Sequence, residues 1–103
     1  MSRLEALKQM LAEDPSDPFL NYALALEYER SGEIQKAIGQ AEKIMKQDPS
    51  YLPVYYMVAT WQYKAGDLAA AKSHLLNGKA LALKQNDHKT ANEIQSFLDE
   101  IAE

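Results

Sequence analysis

The sequence contains no cysteine and has only four glycines and four prolines among 103 residues. The lack of cysteine excludes disulfides, thiol nucleophiles and thiolate metal sites, and it suits a reducing compartment. No apolar run approaches the roughly 20 residues that cross a bilayer. The opening residues, Met1-Ser2-Arg3-Leu4-Glu5, lack the hydrophobic segment of a signal peptide. We therefore expect a soluble, cytoplasmic protein without a membrane partner.

Charge of one sign is not concentrated anywhere, since acidic and basic residues are interspersed at a net charge of −4. A nucleic-acid binder usually has a basic face, and we expect no nucleic-acid partner. The chain also lacks a phosphate-binding loop, a nucleophile elbow and a dinucleotide fingerprint. His74 and His88 are far apart and are expected to be exposed or capping residues. Ser73 and His74 are adjacent and so point in different directions on a helix. We expect neither an enzyme nor a metal or cofactor site.

The few prolines and glycines fall between segments whose apolar residues recur at helical spacing. Asp17 is a good N-cap before Pro18, and Asn86-Asp87 offers another cap near the end of the chain. Gly32 and Gly66 are expected to end helices, because glycine readily adopts the left-handed conformation. The pattern predicts six helices joined by short turns and no strand, in a single domain over residues 1–103.

A repeat of 34 residues is the strongest signal in the chain. Asp14-Pro15-Ser16 recurs as Asp48-Pro49-Ser50. The same shift relates four further pairs: Tyr22 and Tyr56, Ala25 and Ala59, Gly32 and Gly66, and Ala37 and Ala71. A fixed 34-residue period of paired helices is typical of the tetratricopeptide repeat.

The two copies resemble the pattern of that family, which is W-x2-L-G-x2-Y, then A-x3-F, then P. The first copy reads Asn21-x2-Leu24-Ala25-x2-Tyr28, then Ala37-x3-Ala41, then Pro49. The second reads Tyr55-x2-Val58-Ala59-x2-Gln62, then Ala71-x3-Leu75, then Leu83. Ala41 stands where the pattern has an aromatic residue, Gln62 where it has tyrosine and Leu83 where it has proline. Gly78 falls at a further position, where the family prefers alanine. Gly78 is expected to permit close helix packing, and without proline at Leu83 the helix should continue to about Gln85.

The resemblance implies a right-handed superhelical stack of antiparallel helix pairs. We expect an N-terminal capping helix in residues 1–15, repeats in residues 16–49 and 50–85, and a C-terminal capping helix in residues 86–103. A cap with a polar outer face is what the open ends of a repeat array require. Each of these two terminal helices corresponds to half of a repeat, and this arrangement favours a self-contained unit.

The same resemblance implies a protein-interaction module whose first helices line a concave groove for a peptide or a helical segment. Eight residues match groove positions: Tyr22, Leu26, Glu29, Arg30, Tyr56, Thr60, Tyr63 and Lys64. Tyr22 and Tyr56 either face this groove or pack against a neighbouring helix, whereas Tyr28 is expected to pack. Some members of the family bind a C-terminal carboxylate of their partner with Lys and Asn at fixed groove positions. Here these positions hold Tyr22 and Leu26 in the first repeat and Tyr56 and Thr60 in the second, so we do not expect such a clamp. An apolar or helical partner segment suits these side chains better.

Self-association is the alternative, with the homo-oligomer as the functional unit or a weak homodimer beside the main role. Four aromatic residues motivate it: Tyr51, Tyr55, Trp61 and Phe97. The open ends of a repeat array can stack on one another. For Trp61 and Phe97, however, packing inside the fold is the favoured interpretation, because large aromatic side chains bury so much area.

Overall fold

The computed structural model describes residues 2–102, and over this range the chain forms six α-helices and no strand. The helices are α1 (Arg3–Glu13), α2 (Pro18–Arg30), α3 (Ile34–Gln47), α4 (Pro53–Lys64), α5 (Leu68–Lys84) and α6 (His88–Ala102). The predicted all-α helical repeat is confirmed. The described residues form two compact units, which divide the chain between Val54 and Tyr55.

Carboxylates cap the helix starts that the sequence predicted. Oδ1 of Asp17 accepts hydrogen bonds from the backbone amides of Phe19 at 2.8 Å and Leu20 at 3.2 Å. Oδ1 of Asp87 accepts one from the amide of Thr90 at 3.0 Å. Each bond satisfies a backbone donor that has no partner inside its helix. The pKa of Asp87 is lowered, mainly because the amide of Thr90 donates to its carboxylate.

Three helices end in the same turn, although only two of these turns contain glycine. In each turn an amide donates to the carbonyl five residues earlier: Glu33 to Tyr28 at 2.9 Å, Asp67 to Gln62 at 2.9 Å and Asp87 to Ala82 at 2.8 Å. The residue before each donor has a positive φ: Gly32 at 79°, Gly66 at 85° and Asn86 at 60°. This is the Schellman geometry of a helix C-terminus, which favours glycine and next asparagine. The two predicted glycine turns are confirmed.

In the unit that ends at Val54, α2 packs against α1 and α3. The apolar stripe of α3 is buried at Ala37, Ile38, Ala41 and Ile44. A buried amide also secures the start of α2: Asn21 Nδ2 donates to the carbonyls of Pro15 at 3.0 Å and Asp17 at 2.9 Å. Asn21 Oδ1 accepts a hydrogen bond from Gln40 of α3. The amide of Asn21 is thus satisfied at both of its polar atoms.

In the unit that starts at Tyr55, helices α4, α5 and α6 share one core. Its fully or nearly fully buried members are Ala59, Ala71, Leu75, Ile94 and Ile101. Gly78 confirms the predicted close packing, because a Cβ atom there would lie 2.8 Å from Cβ of Tyr55 and 3.3 Å from Cδ1 of Ile94. Helix α5 continues past Leu83 to Lys84, as the missing proline predicted. Trp61 is fully buried, which confirms its packing role.

The prediction of an exposed or capping role was wrong for His74. Its side chain is half-buried, and Nδ1 lies 2.8 Å from Oε1 of Gln62 on α4. Gln62 is only 4% exposed. A buried amide needs hydrogen-bond partners, and the imidazole of His74 supplies one. His88, by contrast, is exposed at the first position of α6, as expected.

Candidate functional site

A cleft of about 380 Å³ lies between α4 and α6. It is lined by Tyr56, Met57, Thr60, Tyr63, Glu93, Ser96, Phe97 and Glu100. Tyr56, Thr60 and Tyr63 are predicted groove residues, and they share one face of α4 because they lie four and three residues apart. The fourth predicted residue of this helix, Lys64, is exposed but does not line the cleft. We call this surface the α4–α6 cleft.

Three aromatic rings form the apolar wall of the α4–α6 cleft. The ring centroid of Phe97 lies 5.4 Å from that of Tyr56 and 5.7 Å from that of Tyr63, with interplanar angles of 61° and 88°. These are edge-to-face contacts, the arrangement that aromatic quadrupoles favour. Tyr56 and Phe97 also pack against the core, whereas Tyr63 is 47% exposed. Phe97 therefore packs as predicted and lines the cleft as well.

Helix α6 contributes four residues to this cleft that sequence reasoning did not assign to it. Glu93, Ser96, Phe97 and Glu100 follow the spacing i, i+3, i+4 and i+7, which places them on one helix face. That spacing is the signal that could have identified them. The sequence predicted only a capping role for α6, so this face was not assigned to a binding site. Met57 of α4 also lines the cleft, although it is not one of the predicted groove residues.

The hydroxyl of Thr60 in the α4–α6 cleft already donates its hydrogen to the protein backbone. Its Oγ1 donates a hydrogen bond to the backbone carbonyl of Tyr56 at 3.0 Å, one helical turn earlier. The hydroxyl of a helical threonine often satisfies itself in this way. The carboxylates of Glu93 and Glu100, which are exposed, are thus the stronger polar groups of the cleft.

In the first repeat, the predicted groove residue Tyr22 contacts another tyrosine. Its ring centroid lies 5.8 Å from that of Tyr51, with an interplanar angle of 62°. Burial raises the pKa of Tyr22, and the negative charge of an ionised Tyr51 would raise it further. Burial also raises the pKa of Tyr51, with smaller effects from Asp17 and Asp48. Tyr22 is half-buried, so its ring both packs against Tyr51 and presents a surface.

The other predicted residues of α2 differ in exposure. Leu26 and Glu29 are half-buried, and Arg30 is exposed. The Arg30 guanidinium lies 3.3 Å from Oε1 of Glu27, a carboxylate that also lies 3.5 Å from Arg3 of α1. Arg30 therefore has an internal partner. The side chain of Arg30 is nevertheless 62% exposed, whereas that of Glu27 is only 17% exposed.

Two apolar side chains project from the outer face of α5. Leu76 is 59% exposed and Leu83 is 46% exposed. They lie seven residues apart, which places them on one side of the helix, two turns from each other. In the preceding repeat the residue that corresponds to Leu76 is the charged Glu42.

Residues 2–102 contain neither a cluster of metal ligands nor a helix suited to crossing a membrane. Among the described residues, no group of three or more histidine, aspartate and glutamate side chains is arranged to hold a metal ion. None of the helices in this range combines the length and the apolar character that a membrane span requires.

The comparisons with known proteins agree on one kind of helical repeat. The chain is 28% identical over 95 residues to a tetratricopeptide repeat-containing protein of Pseudomonas aeruginosa, covering 92% of this chain and 90% of that protein. No family profile matches the sequence. A tetratricopeptide repeat domain protein from Salinibacter ruber superposes with a TM-score of 0.81 at 25% identity, covering 84% of this chain and 88% of the other.

A second similar structure contains a bound partner. It is PcrH in complex with the chaperone binding region of PopD, with a TM-score of 0.87 at 18% identity. The match covers 96% of this chain and 75% of PcrH. At this level of identity the likeness concerns the fold alone.

Proposed function

We propose that this chain is a tetratricopeptide-repeat protein, and that it binds a peptide or a helical segment of another protein through the tyrosine-bearing faces of α2 and α4. The observation that carries the proposal is the α4–α6 cleft. Tyr56, Thr60 and Tyr63, which match groove positions of the family, line a concave surface with an aromatic wall. Concave, partly apolar surfaces with a few polar groups are the usual form of binding sites.

The composition of these faces supports a protein partner. Tyrosine is enriched at binding hot spots, because it combines a large contact area with a polar tip. Tyr22 offers a similar half-buried ring in the first repeat. PcrH, which has the same fold, binds the chaperone binding region of PopD, and this neighbour supports a segment of protein as the ligand here. The proposed role is a non-catalytic adaptor in the cytoplasm.

The proposed division of the chain keeps two complete repeats in residues 16–49 and 50–85. Helix α1 would then serve as the N-terminal cap and α6 as the C-terminal cap. The exposed Lys8, Gln9 and Glu13 of α1 support a solvated outer face. The role proposed for α6 is double, because its Phe97 also lines the cleft.

The test is affinity capture from a lysate of the source organism, with the wild-type chain and the triple variant Y22A/Y56A/Y63A as baits. We expect at least one protein to be retained by the wild type and lost by the variant. Circular dichroism should show that the variant keeps its helicity. If the folded variant retains the same proteins as the wild type, the assignment of these faces is wrong.

A matched control comes from Phe19, which is 67% exposed on α2 but is not a predicted groove residue. Replacing Phe19 with alanine removes an exposed aromatic ring without touching the proposed faces. This variant should retain the same proteins as the wild type. Loss of binding in both the triple variant and F19A would indicate a general dependence on surface aromatics.

Self-association is a second candidate function, and the exposed Leu76 and Leu83 of α5 favour it. Trp61 no longer supports it, because its side chain is fully buried. Exposed apolar patches often mark interaction sites. Light scattering at high micromolar concentration should then show dimers that L76E/L83E dissociates. A wild-type chain that remains monomeric at this concentration would contradict self-association.

A further inference from the structure

We infer that the α4–α6 cleft selects a basic side chain, lysine or arginine, of the bound segment. The inference rests on the proposed function and specifies the chemistry of its ligand. Its basis is the combination of two carboxylates with three aromatic rings in one cleft: Glu93, Glu100, Tyr56, Tyr63 and Phe97.

The two carboxylates flank the aromatic wall. Glu93 and Glu100 lie two turns apart on α6, roughly 10.5 Å along the helix axis at 1.5 Å per residue. Phe97 lies between them on the same face, four residues after Glu93 and three before Glu100. A cation placed over the Phe97 ring is therefore close to a carboxylate on either side along the helix.

Neither carboxylate forms an ion pair with another side chain of residues 2–102. The ion pairs of residues 2–102 involve Glu27 and Glu33, and neither Glu93 nor Glu100 has such a partner among the described residues. Both glutamates are exposed. A basic side chain of a partner could therefore bind them without displacing an internal cation. An acidic segment would be repelled, since like charges in an interface are unfavourable.

The aromatic rings favour the same kind of ligand. A lysine or arginine cation is attracted to the face of a tyrosine or phenylalanine ring within about 6 Å. The methylene groups of either side chain can meanwhile cover apolar ring surface. At about 380 Å³, the cleft is at the small end of ligand sites, so it suits one or two side chains of a segment. Rings and carboxylates together thus select a long basic side chain over a short or acidic one.

The experiment measures binding of the full chain to an array of nonapeptides, each with a fixed central residue and randomised flanks. We expect peptides with central lysine or arginine to bind about tenfold more tightly than those with central glutamate, a difference of about 1.4 kcal/mol. The variant E93Q/E100Q should lose most of this preference. The variant E93K/E100K should reverse it in favour of glutamate.

The control is E13K/E42K, which replaces two exposed glutamates outside the cleft and changes the net charge by the same amount as E93K/E100K. It should keep the wild-type preference, and a shift as large as that of E93K/E100K would attribute the effect to overall charge and overturn the inference. Wild-type preference in E93K/E100K, or no basic preference in the wild type, would also overturn it.

The array separates failure of this inference from failure of the proposed function. If peptides bind and Y56A/Y63A abolishes binding, while the glutamate variants leave the ranking unchanged, the groove assignment stands and the charge selection is wrong. If the wild-type chain binds no peptide of the array, both the proposed function and the inference fail.

Discussion

His74 Nδ1 of α5 lies 2.8 Å from Gln62 Oε1 of α4, so a half-buried imidazole satisfies a buried amide. The residue 34 positions before His74 is Gln40, which also bonds a buried amide of the preceding helix, that of Asn21. The same position of the second helix therefore carries a polar side chain that reaches the first helix in both repeats. The partner differs, because the buried amide lies near the start of α2 but near the end of α4.

Replacing His74 with alanine should lower the free energy of unfolding by about 1–3 kcal/mol, because the amide of Gln62 would remain buried without this partner. Glutamine at position 74, the residue type that the first repeat has at position 40, should restore most of the loss. Urea denaturation followed by circular dichroism measures both variants. An alanine variant as stable as the wild type would show that water replaces the imidazole at no cost.

Two helical glycines should respond in opposite directions to alanine. At Gly78 the new Cβ would lie 2.8 Å from Cβ of Tyr55, so G78A should lose about 1–3 kcal/mol through overpacking. At Gly39 of α3 a Cβ would meet nothing within 4 Å, so G39A should gain about 0.5–1 kcal/mol in helix propensity. Thermal unfolding of the pair gives the comparison. Equal changes of the same sign would contradict the close approach of α4 and α5 at Gly78.

The turn between α5 and α6 should depend on the residue at position 86, where φ is 60°. The variant N86A should be less stable by about 1 kcal/mol, because alanine is strained in the left-handed conformation. The variant N86G should be at least as stable as the wild type, since glycine is favoured at this turn position. Chemical denaturation of the three proteins checks the order. If N86A is the most stable, the left-handed geometry of this turn is wrong.

Tyr22 should make stability dependent on alkaline pH. Burial raises its pKa in the folded chain above the ordinary value of 10.0, so the folded state keeps the proton more tightly than the unfolded state. The stabilisation is complete below the unfolded pKa and is lost as the pH rises through the folded pKa. Stability should therefore fall above about pH 10, and less steeply in Y22F.

The charge on Tyr51 gives this prediction an internal control. Replacing Tyr51 with phenylalanine removes the ionised neighbour that contributes to the raised pKa of Tyr22. An NMR titration of the Tyr22 ring signals should then show Tyr22 ionising at lower pH, provided that the phenylalanine ring preserves the burial. An unchanged pKa of Tyr22 in Y51F would show that burial accounts for the shift without the charge.

Sequence alone determined the helices, because their signals are local. Asp17, Asp87 and the prolines mark helix starts by capping chemistry, and Gly32 and Gly66 mark helix ends by their backbone freedom. The 34-residue period then related the two repeats and mapped the face of α4 through Tyr56, Thr60 and Tyr63. These features depend on residues close together in the chain or on the register of a repeat.

Tertiary structure decided what depends on contacts between helices. The half-buried site of His74, the edge contact of Tyr22 with Tyr51 and the position of Phe97 between two tyrosines each join residues far apart in the chain. Helix α6 lies beyond the second repeat, so register did not indicate that its Glu93 and Glu100 line a cleft. The packing of α6 brings these carboxylates and the tyrosines of α4 together. The sequence pattern of a helix predicts which residues share a face, but it does not predict which helix packs beside that face.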